Sequence, residues 1–403
     1  MEFKRYRIEE IGTVVGGGTP STKNPNYYGG NIPWITPKDL ANYEKRYIQY
    51  GERNITDEGL KHSSAKLVPA NTILMTSRAP IGYLAIAANE VSTNQGFKSI
   101  ICDEKVVSPK FLYYLLQYEM ENIKSLGTGS TFSEISGKVV KNIEVNLPNI
   151  ENQKKIEGVL DVVDEKIETN QHIIANLEEL SQTLFKHWFV DFEFPDKDGN
   201  PYKSSGGEMI DSEIGEIPKG WEISKLDKII NIKSGKRPRN KVNIMDNKNK
   251  TPIIGASKIM GYTSDYLESE PILVMGRVGT HGVIQRFNNN VWPSDNTFII
   301  KSKFMIYSYF ILINIDYKSL NRGSTQPLLS QKDIKNINII IPKSDSLIVK
   351  YEEITNIYFK EIDVIRDQIS YLIELRDTLL SKLMSGELEI PDDIEVNSDE
   401  LSI

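Results

Sequence analysis

Leu126-Gly127-Thr128-Gly129-Ser130-Thr131, leading on to Val145-Asn146-Leu147-Pro148, returns later in the chain as Leu320-Asn321-Arg322-Gly323-Ser324-Thr325, leading on to Ile339-Ile340-Ile341-Pro342. From Ser130 and Ser324 to Pro148 and Pro342 the offset stays at 194. After each proline comes a helical run that aligns at an offset of 195: Ile167 with Ile362, Ile174 with Ile369, Leu177 with Leu372, Leu180 with Leu375 and Leu184 with Leu379. An order of domain, helix, domain, helix, with similar cores and different loops, suits two separate readers held at a fixed distance. It does not suit a single catalytic pocket.

The helical runs fix the architecture. In the first, Ile156, Leu160, Val163, Ile167, Asn170, Ile174, Leu177, Ser181 and Leu184 follow alternating steps of four and three. The second repeats those steps through Tyr358, Ile362, Ile365, Ile369, Leu372, Arg376, Leu379 and Leu383. This is a narrow coiled-coil seam, and the polar Asn170, Ser181 and Arg376 either fix its register and partner or are exposed breaks. Each helix of about 35 residues would run about 52 Å at 1.5 Å per residue. So narrow a stripe is not stable alone in water, so the helices are expected to pair antiparallel, with one globular domain at each end. The fold class expected is α+β: two similar mixed α/β domains joined by two long antiparallel coiled-coil helices, with a pseudo-twofold internal repeat.

Within residues 1–148, strands are expected at 72–76, 83–87 and 97–101, then a helix at 110–124 opened by Pro109. The second copy repeats the order with strands at 271–275, 282–284 and 297–300 and a helix at 306–315. The boundaries read as a first domain at 1–148, a helix at 149–190, a turn-rich linker at 191–212, a second domain at 213–342, a helix at 343–385 and an acidic tail at 386–403.

The net charge of −7 argues weakly against nucleic acid, so its distribution matters more. Seven acids and no base follow Gly386. By contrast, Lys233 to Lys258 holds Lys233, Lys236, Arg237, Arg239, Lys241, Lys248, Lys250 and Lys258 against Asp246 alone. A basic stripe in an acidic chain is compatible with DNA binding, although a solvated face gives the same pattern. No run of eighteen apolar residues occurs, which points to a cytoplasmic location. The lone Cys102 offers no disulfide or zinc site.

Catalytic signatures are missing. Ser136-Gly137-Lys138 lacks the upstream glycine of a phosphate loop, and Asn24-Pro25-Asn26-Tyr27 lacks the second proline of an adenine methyltransferase motif. His62, His172, His187 and His281 have no metal-ligand spacing. The chain is expected to do no covalent chemistry itself.

The pattern resembles the specificity subunit of a Type I restriction-modification system over nearly the whole chain. Glu213-Ile214-Gly215-Glu216-Ile217-Pro218-Lys219-Gly220-Trp221 is similar to the family's lead-in to a target recognition domain. Gly18-Thr19-Pro20-Ser21 and Gly235-Lys236-Arg237-Pro238 resemble its glycine turn. Arg78 before Ile81-Gly82 and Arg277 before Gly282 resemble its central segment, and Gly129-Ser130-Thr131 and Gly323-Ser324-Thr325-Gln326-Pro327 its turn before the last strand. The first copy lacks the Ile-Pro-x-Gly-Trp lead-in, which leaves Tyr6 near the place of Trp221.

The resemblance implies that each domain reads one half of a split sequence in double-stranded DNA. It implies that the helices set the gap and seat two methyltransferase subunits, and that restriction subunits join if they exist. No cofactor is expected on this chain: S-adenosylmethionine would sit on the methyltransferase, and ATP and Mg on a nuclease subunit. A DNA-independent coiled-coil scaffold is the alternative, and the basic stretch weighs against it.

Base readout uses arginine or lysine for guanine and asparagine or glutamine for adenine, while phosphates take lysine, arginine, serine and threonine. The DNA-binding candidates are Thr19, Ser21, Lys23, Lys38, Arg78, Asn94 and Gln95 in the first domain, and Lys236, Arg237, Arg239, Lys258, Arg277, His281 and Asn296 in the second. Asn94-Gln95 aligns with Asp295-Asn296, so the half-sites are expected to differ and the site to be asymmetric. Ile173, Phe185, Trp188, Phe189, Ile373 and Leu380 are candidates for methyltransferase contact, with a wider helix interface as the alternative.

Overall fold

The structure is a computed structural model that describes residues 1–128, 133–278, 282–317 and 329–391. His281, both repeated Gly-Ser-Thr turns and residues 392–403 of the acidic tail lie outside the described residues. The chain forms two compact units. One is built from Met1–Gln171 and from Arg366 onward, the other from His172–Ile365. Among the described residues no helix is long and apolar enough to cross a membrane.

In the first unit the main sheet runs in the order Gly12–Gly16, Lys98–Cys102, Ile73–Ser77, Ile81–Ala87 and Tyr47–Ile48. Ile73–Ser77 is buried at every position. Ile73 and Met75 face the helix Pro109–Tyr118, while Leu74 joins Phe97, Val68 and Val91 on the other face. Burial on both faces explains why this strand reads as an unbroken apolar run. A smaller mixed sheet places Tyr28–Ile35 between Arg53–Ile55 and Val91–Thr93. The helix expected at 110–124 is two helices, Pro109–Tyr118 and Met120–Ser125, broken at Glu119.

The second unit repeats the plan. Its main sheet is ordered Ile230–Ser234, Thr297–Ser302, Ile272–Gly276 and Ile284–Phe287, and Thr251–Ile254 lies between Ile259–Thr263 and Trp292–Pro293 in the smaller one. The second strand thus starts at Ile284 rather than Gly282. The linker is partly structured, since Met209–Ser212 pairs antiparallel with Gly215–Pro218 and Phe194 stacks on Tyr202 and Trp221. In each unit an opening strand pairs with the closing one: Lys4 lies opposite Leu147, and Glu222 opposite Ile341. That register puts Phe3, not Tyr6, at the place of Trp221.

The long helices are Ile150–Phe185 and Ser346–Met384. Within the first unit the start of one packs on the end of the other, burying Ile156, Leu160, Leu380 and Leu383 in one core. Within the second, Phe185, Trp188 and Phe189 pack with Ile348, Tyr351 and Ile362. The polar seam residues cross the pair. Asn170 donates to Gln368 at 3.3 Å, Arg376 to Asp164 at 3.1 Å, and the Ser181 carbonyl accepts from the Tyr351 hydroxyl at 3.0 Å. These bonds are made in one register only.

Each globular domain is tied to the helices by a carboxylate in the same place of the repeat. Glu157 accepts the Phe111 N–H at 3.1 Å, and Glu352, 195 residues on, accepts the Tyr307 N–H at 2.7 Å. Both N–H groups belong to the third position of a domain helix, where no intrahelical acceptor exists and negative charge is favoured. Neither helix caps itself: Ser108 spends its hydroxyl on Glu157, and Phe304 has no polar side chain.

Arginines add a second tie. Arg46, buried, binds Asp161 and, at 3.0 Å, Glu168. Arg286 binds Asp363 and covers the Phe359 ring at 4.7 Å. Glu168 and Asp363 are again 195 apart, yet their arginines come from different strands or loops.

Burial pushes the Glu352 carboxyl up to about 7, outweighing its hydrogen bonds from Tyr307, Ile306 and Asn356. A folded value above the ordinary 4.5 means that the stability tied to the protonated form is complete below about pH 4.5 and is lost as pH rises through about 7. Replacing Glu352→Gln removes this dependence. Between about pH 5 and about pH 8 the wild-type protein should lose about 1–3 kcal/mol relative to that variant in parallel thermal melts. Superimposable pH profiles would contradict the assignment.

Candidate nucleic-acid interface

Three segments that lie far apart in sequence meet in each unit. In the first, Gly18 donates to the Thr93 carbonyl at 2.9 Å, and Gly17 comes so close to Asn94 that a Cβ there would sit 2.0 Å from its carbonyl oxygen. Only glycine allows that approach. The Thr19 hydroxyl consequently bonds the Gln95 side chain, and the Trp34 indole donates to the Gly18 carbonyl at 3.0 Å. Asn94 folds its own turn, its side-chain amide oxygen accepting from the Gly96 N–H at 2.8 Å, so that oxygen is already engaged. The Gly96 carbonyl in turn accepts from Ser77, which places Arg78 beside this turn.

The second unit reuses this backbone with different side chains. Gly235 approaches Pro293 and Ser294 as Gly17 approaches Thr93 and Asn94. Arg277 donates its N–H to the Asn296 carbonyl at 2.8 Å, as Ser77 does to that of Gly96. Arg277 therefore stands in the place of Ser77 rather than Arg78, and Ser294-Asp295, not Asp295-Asn296, in the place of Asn94-Gln95. The Trp292 indole donates to the Lys236 carbonyl at 2.7 Å, so a tryptophan again buttresses the glycine turn. It comes from the opposite strand of the parallel pair: Trp34 lies opposite Ser92, and Trp292 opposite Ile253.

The structure therefore brings together Thr19, Gln95, Asn94 and Arg78, and likewise Lys236, Arg277 and Asn296. Ser21 and Lys23 are exposed on the loop after the first glycine turn. Lys236, Arg237 and Arg239 line a cleft of about 510 Å³ with Tyr266 and Trp292. Lys258 is exposed at a hairpin tip, where its carbonyl accepts from Gly255. Lys38 is exposed and paired with Glu52 at 2.6 Å.

Charge is distributed less simply than the sequence suggests. Lys233 is taken up by the buried Glu268, which Lys301 also binds at 3.0 Å. Arg78 lies 3.4 Å from Glu134, which also faces Lys98 at 4.0 Å. Burial pulls the Lys98 ammonium down from its ordinary value. The exposed Tyr50 and Tyr266, flanked by turn and basic residues, had no distinguishing sequence signal.

The apolar helix candidates need correction. Phe185, Trp188, Phe189 and Leu380 do not point outward; all four are buried in the unit cores. Offering the three aromatics to a partner instead would forfeit on the order of 10 kcal/mol of burial. Phe185, Trp188 and Phe189 align with Leu380, Leu383 and Met384 at the repeat offset, and every one is buried. Ile173 and Ile373 do remain exposed, at 37% each.

Two glycine turns built on one backbone plan define an internally duplicated protein with two like candidate interfaces. Residues 1–179 and 218–360 match the family model for the Type I restriction modification DNA specificity domain. The chain is 37% identical to the Type I restriction enzyme MjaIX specificity subunit of Methanocaldococcus jannaschii, over 95% of this chain and 93% of that one. It is 31% identical to the EcoR124I/EcoR124II specificity subunit of Escherichia coli, over 48% of this chain and 50% of that one. A crystal structure of the Type I system S subunit from M. genitalium has the same fold, with a TM-score of 0.57 at 19% identity, covering 98% of this chain and 97% of that one. The chain belongs to the family of Type I restriction-modification specificity subunits, and its role is DNA sequence recognition.

Arg78→Ala and Arg277→Ala should each weaken binding to the cognate duplex by about 1–3 kcal/mol in titrations at fixed salt. Lys38→Ala, which removes an exposed ion pair, should change it by less than about 1 kcal/mol. Equal losses for all three would mean that the arginines contribute only general attraction to phosphate.

Proposed function

We propose that each unit reads one half of a bipartite, asymmetric DNA site, that the long helices set the spacer, and that they seat two adenine methyltransferase subunits. The observation that carries this reading is the pair of backbone-matched turns bearing different side chains: Gly18-Thr19 and Asn94-Gln95-Gly96 in one, Lys236-Arg237 and Ser294-Asp295-Asn296 in the other. Equivalent scaffolds with unlike donors and acceptors select unlike bases. Helices of 36 and 39 residues are about 54 and 58 Å long, enough to separate half-sites by about one turn of duplex, roughly 34 Å. The chain itself performs no covalent chemistry. S-adenosylmethionine belongs to the methyltransferase, and ATP and Mg belong to a restriction subunit where one joins.

Exposed apolar residues on the helices support subunit docking. Within the second unit, Ile173 and Leu180 recur seven apart on one helix, and Ile357 and Val364 seven apart on the other. Heptad spacing keeps each pair on one helical face, and contiguous apolar surface of this kind marks an interface.

Adenine methylation mapped across the genome, with and without this chain, tests the main reading. Loss of one split, asymmetric motif on deletion is the expected result. An unchanged pattern while the methyltransferase is expressed would overturn it. For the docking face, Leu180→Glu combined with Ile357→Glu should abolish co-purification of the methyltransferase while leaving the melting temperature within a few degrees, since both residues are exposed.

A further inference from the structure

In the second unit, the loop from Arg239 to Lys250 presents two aliphatic side chains at its tip. Ile244 is 81% exposed and Met245 58%. The loop is fixed at both ends. Val242 and Tyr262 exchange main-chain hydrogen bonds at 3.0 and 2.9 Å, and Gly261, at φ +147° and with no Cβ to meet the Val242 carbonyl, permits that contact. Beyond the tip, the Asp246 carboxylate accepts the N–H groups of Lys248 at 2.8 Å and Asn249 at 2.7 Å. The Asn249 side-chain amide also donates to it, and that bond first, with the two main-chain ones, holds the carboxyl below its ordinary value.

Along the loop, Arg239 and Lys241 precede the tip and Lys248 and Lys250 follow it, and Asp246 is the loop's one acid. A held, exposed aliphatic tip with two cations before it and two after it along the loop matches duplex DNA, which offers anionic phosphate rails on either side of an apolar base stack. The corresponding loop of the first unit, from Thr19 to Tyr27, holds no aliphatic residue apart from its prolines.

We propose that Ile244 and Met245 form a wedge that enters a base step of the DNA bound by the second unit, unstacking and kinking it while the four cations hold the flanking phosphates. This rests on the DNA-reading function proposed above and adds a distortion confined to one half-site. Wedges of this chemistry kink duplexes by roughly 20–90°.

The test uses the full chain assembled with its methyltransferase, on duplexes carrying the mapped motif. 2-Aminopurine is placed at successive positions through the second half-site and its flank, and end-to-end energy transfer reports the bend. With the wild-type chain, fluorescence should rise at one step and the ends should draw together. Ile244→Ser with Met245→Ser should abolish the rise, straighten the duplex and weaken binding about tenfold. Both residues are exposed, so the variant retains its fold. An unchanged rise and bend in the variant would overturn the wedge while leaving the recognition function intact. Loss of methyltransferase assembly with the distortion retained would also overturn it and assign the tip to a protein partner. A wild-type assembly that does not bind the motif would sink both readings.

Discussion

The carboxylates of Glu157 and Glu352 are the constraint on which the rest depends. Each is donated by a long helix to the open N-terminus of a domain helix that cannot cap itself. An uncapped, buried helix start would leave N–H groups without acceptors, at about 1–3 kcal/mol for each group left unsatisfied. The domain helix is thus complete only when docked on the long helix. Arg46 and Arg286 reinforce the same junctions through Glu168 and Asp363. Buried ion pairs add little net stability, but they are costly to break from one side, so their main effect is to fix one orientation of domain on helix.

That fixed orientation gives meaning to the difference between the two glycine turns. Gly17 and Gly235 bring their loops against Thr93-Asn94 and Pro293-Ser294 by the same close main-chain approach. The side chains set on this common frame are then free to diverge. The first turn offers hydroxyl and amide groups, while the second offers lysine, arginine and an acid next to Asn296. Two different surfaces carried on one architecture need this separation, because backbone contacts that position the loop carry no base information.

Much of the fold was legible because its signals are periodic. The seam residues Ile156, Leu160 and Val163, and Ile362 and Ile365, are buried as the alternating steps of four and three require. The strand at 73–77 was visible because burial on both faces leaves an unbroken apolar run. The outward face of the helices was misjudged at Phe185, Trp188, Phe189 and Leu380. A heptad count separates seam from flank but cannot tell a flank covered by a domain from one left bare. The opening register was likewise placed at Tyr6 rather than Phe3, since a four-residue strand, Lys4–Arg7, holds no internal marker of its partner.

By itself the sequence determined the duplication, the antiparallel helix pair, the family and the residue types at the two glycine turns, because repetition and heptad spacing are local properties of the chain. The tertiary structure alone decided which side chains are free. Lys233 is held by Glu268 and Thr19 is bonded to Gln95, while Ile244 and Met245 stand exposed. The physical reason is that availability depends on partners many residues distant, such as the 76 positions between Thr19 and Gln95. No local pattern records those distances.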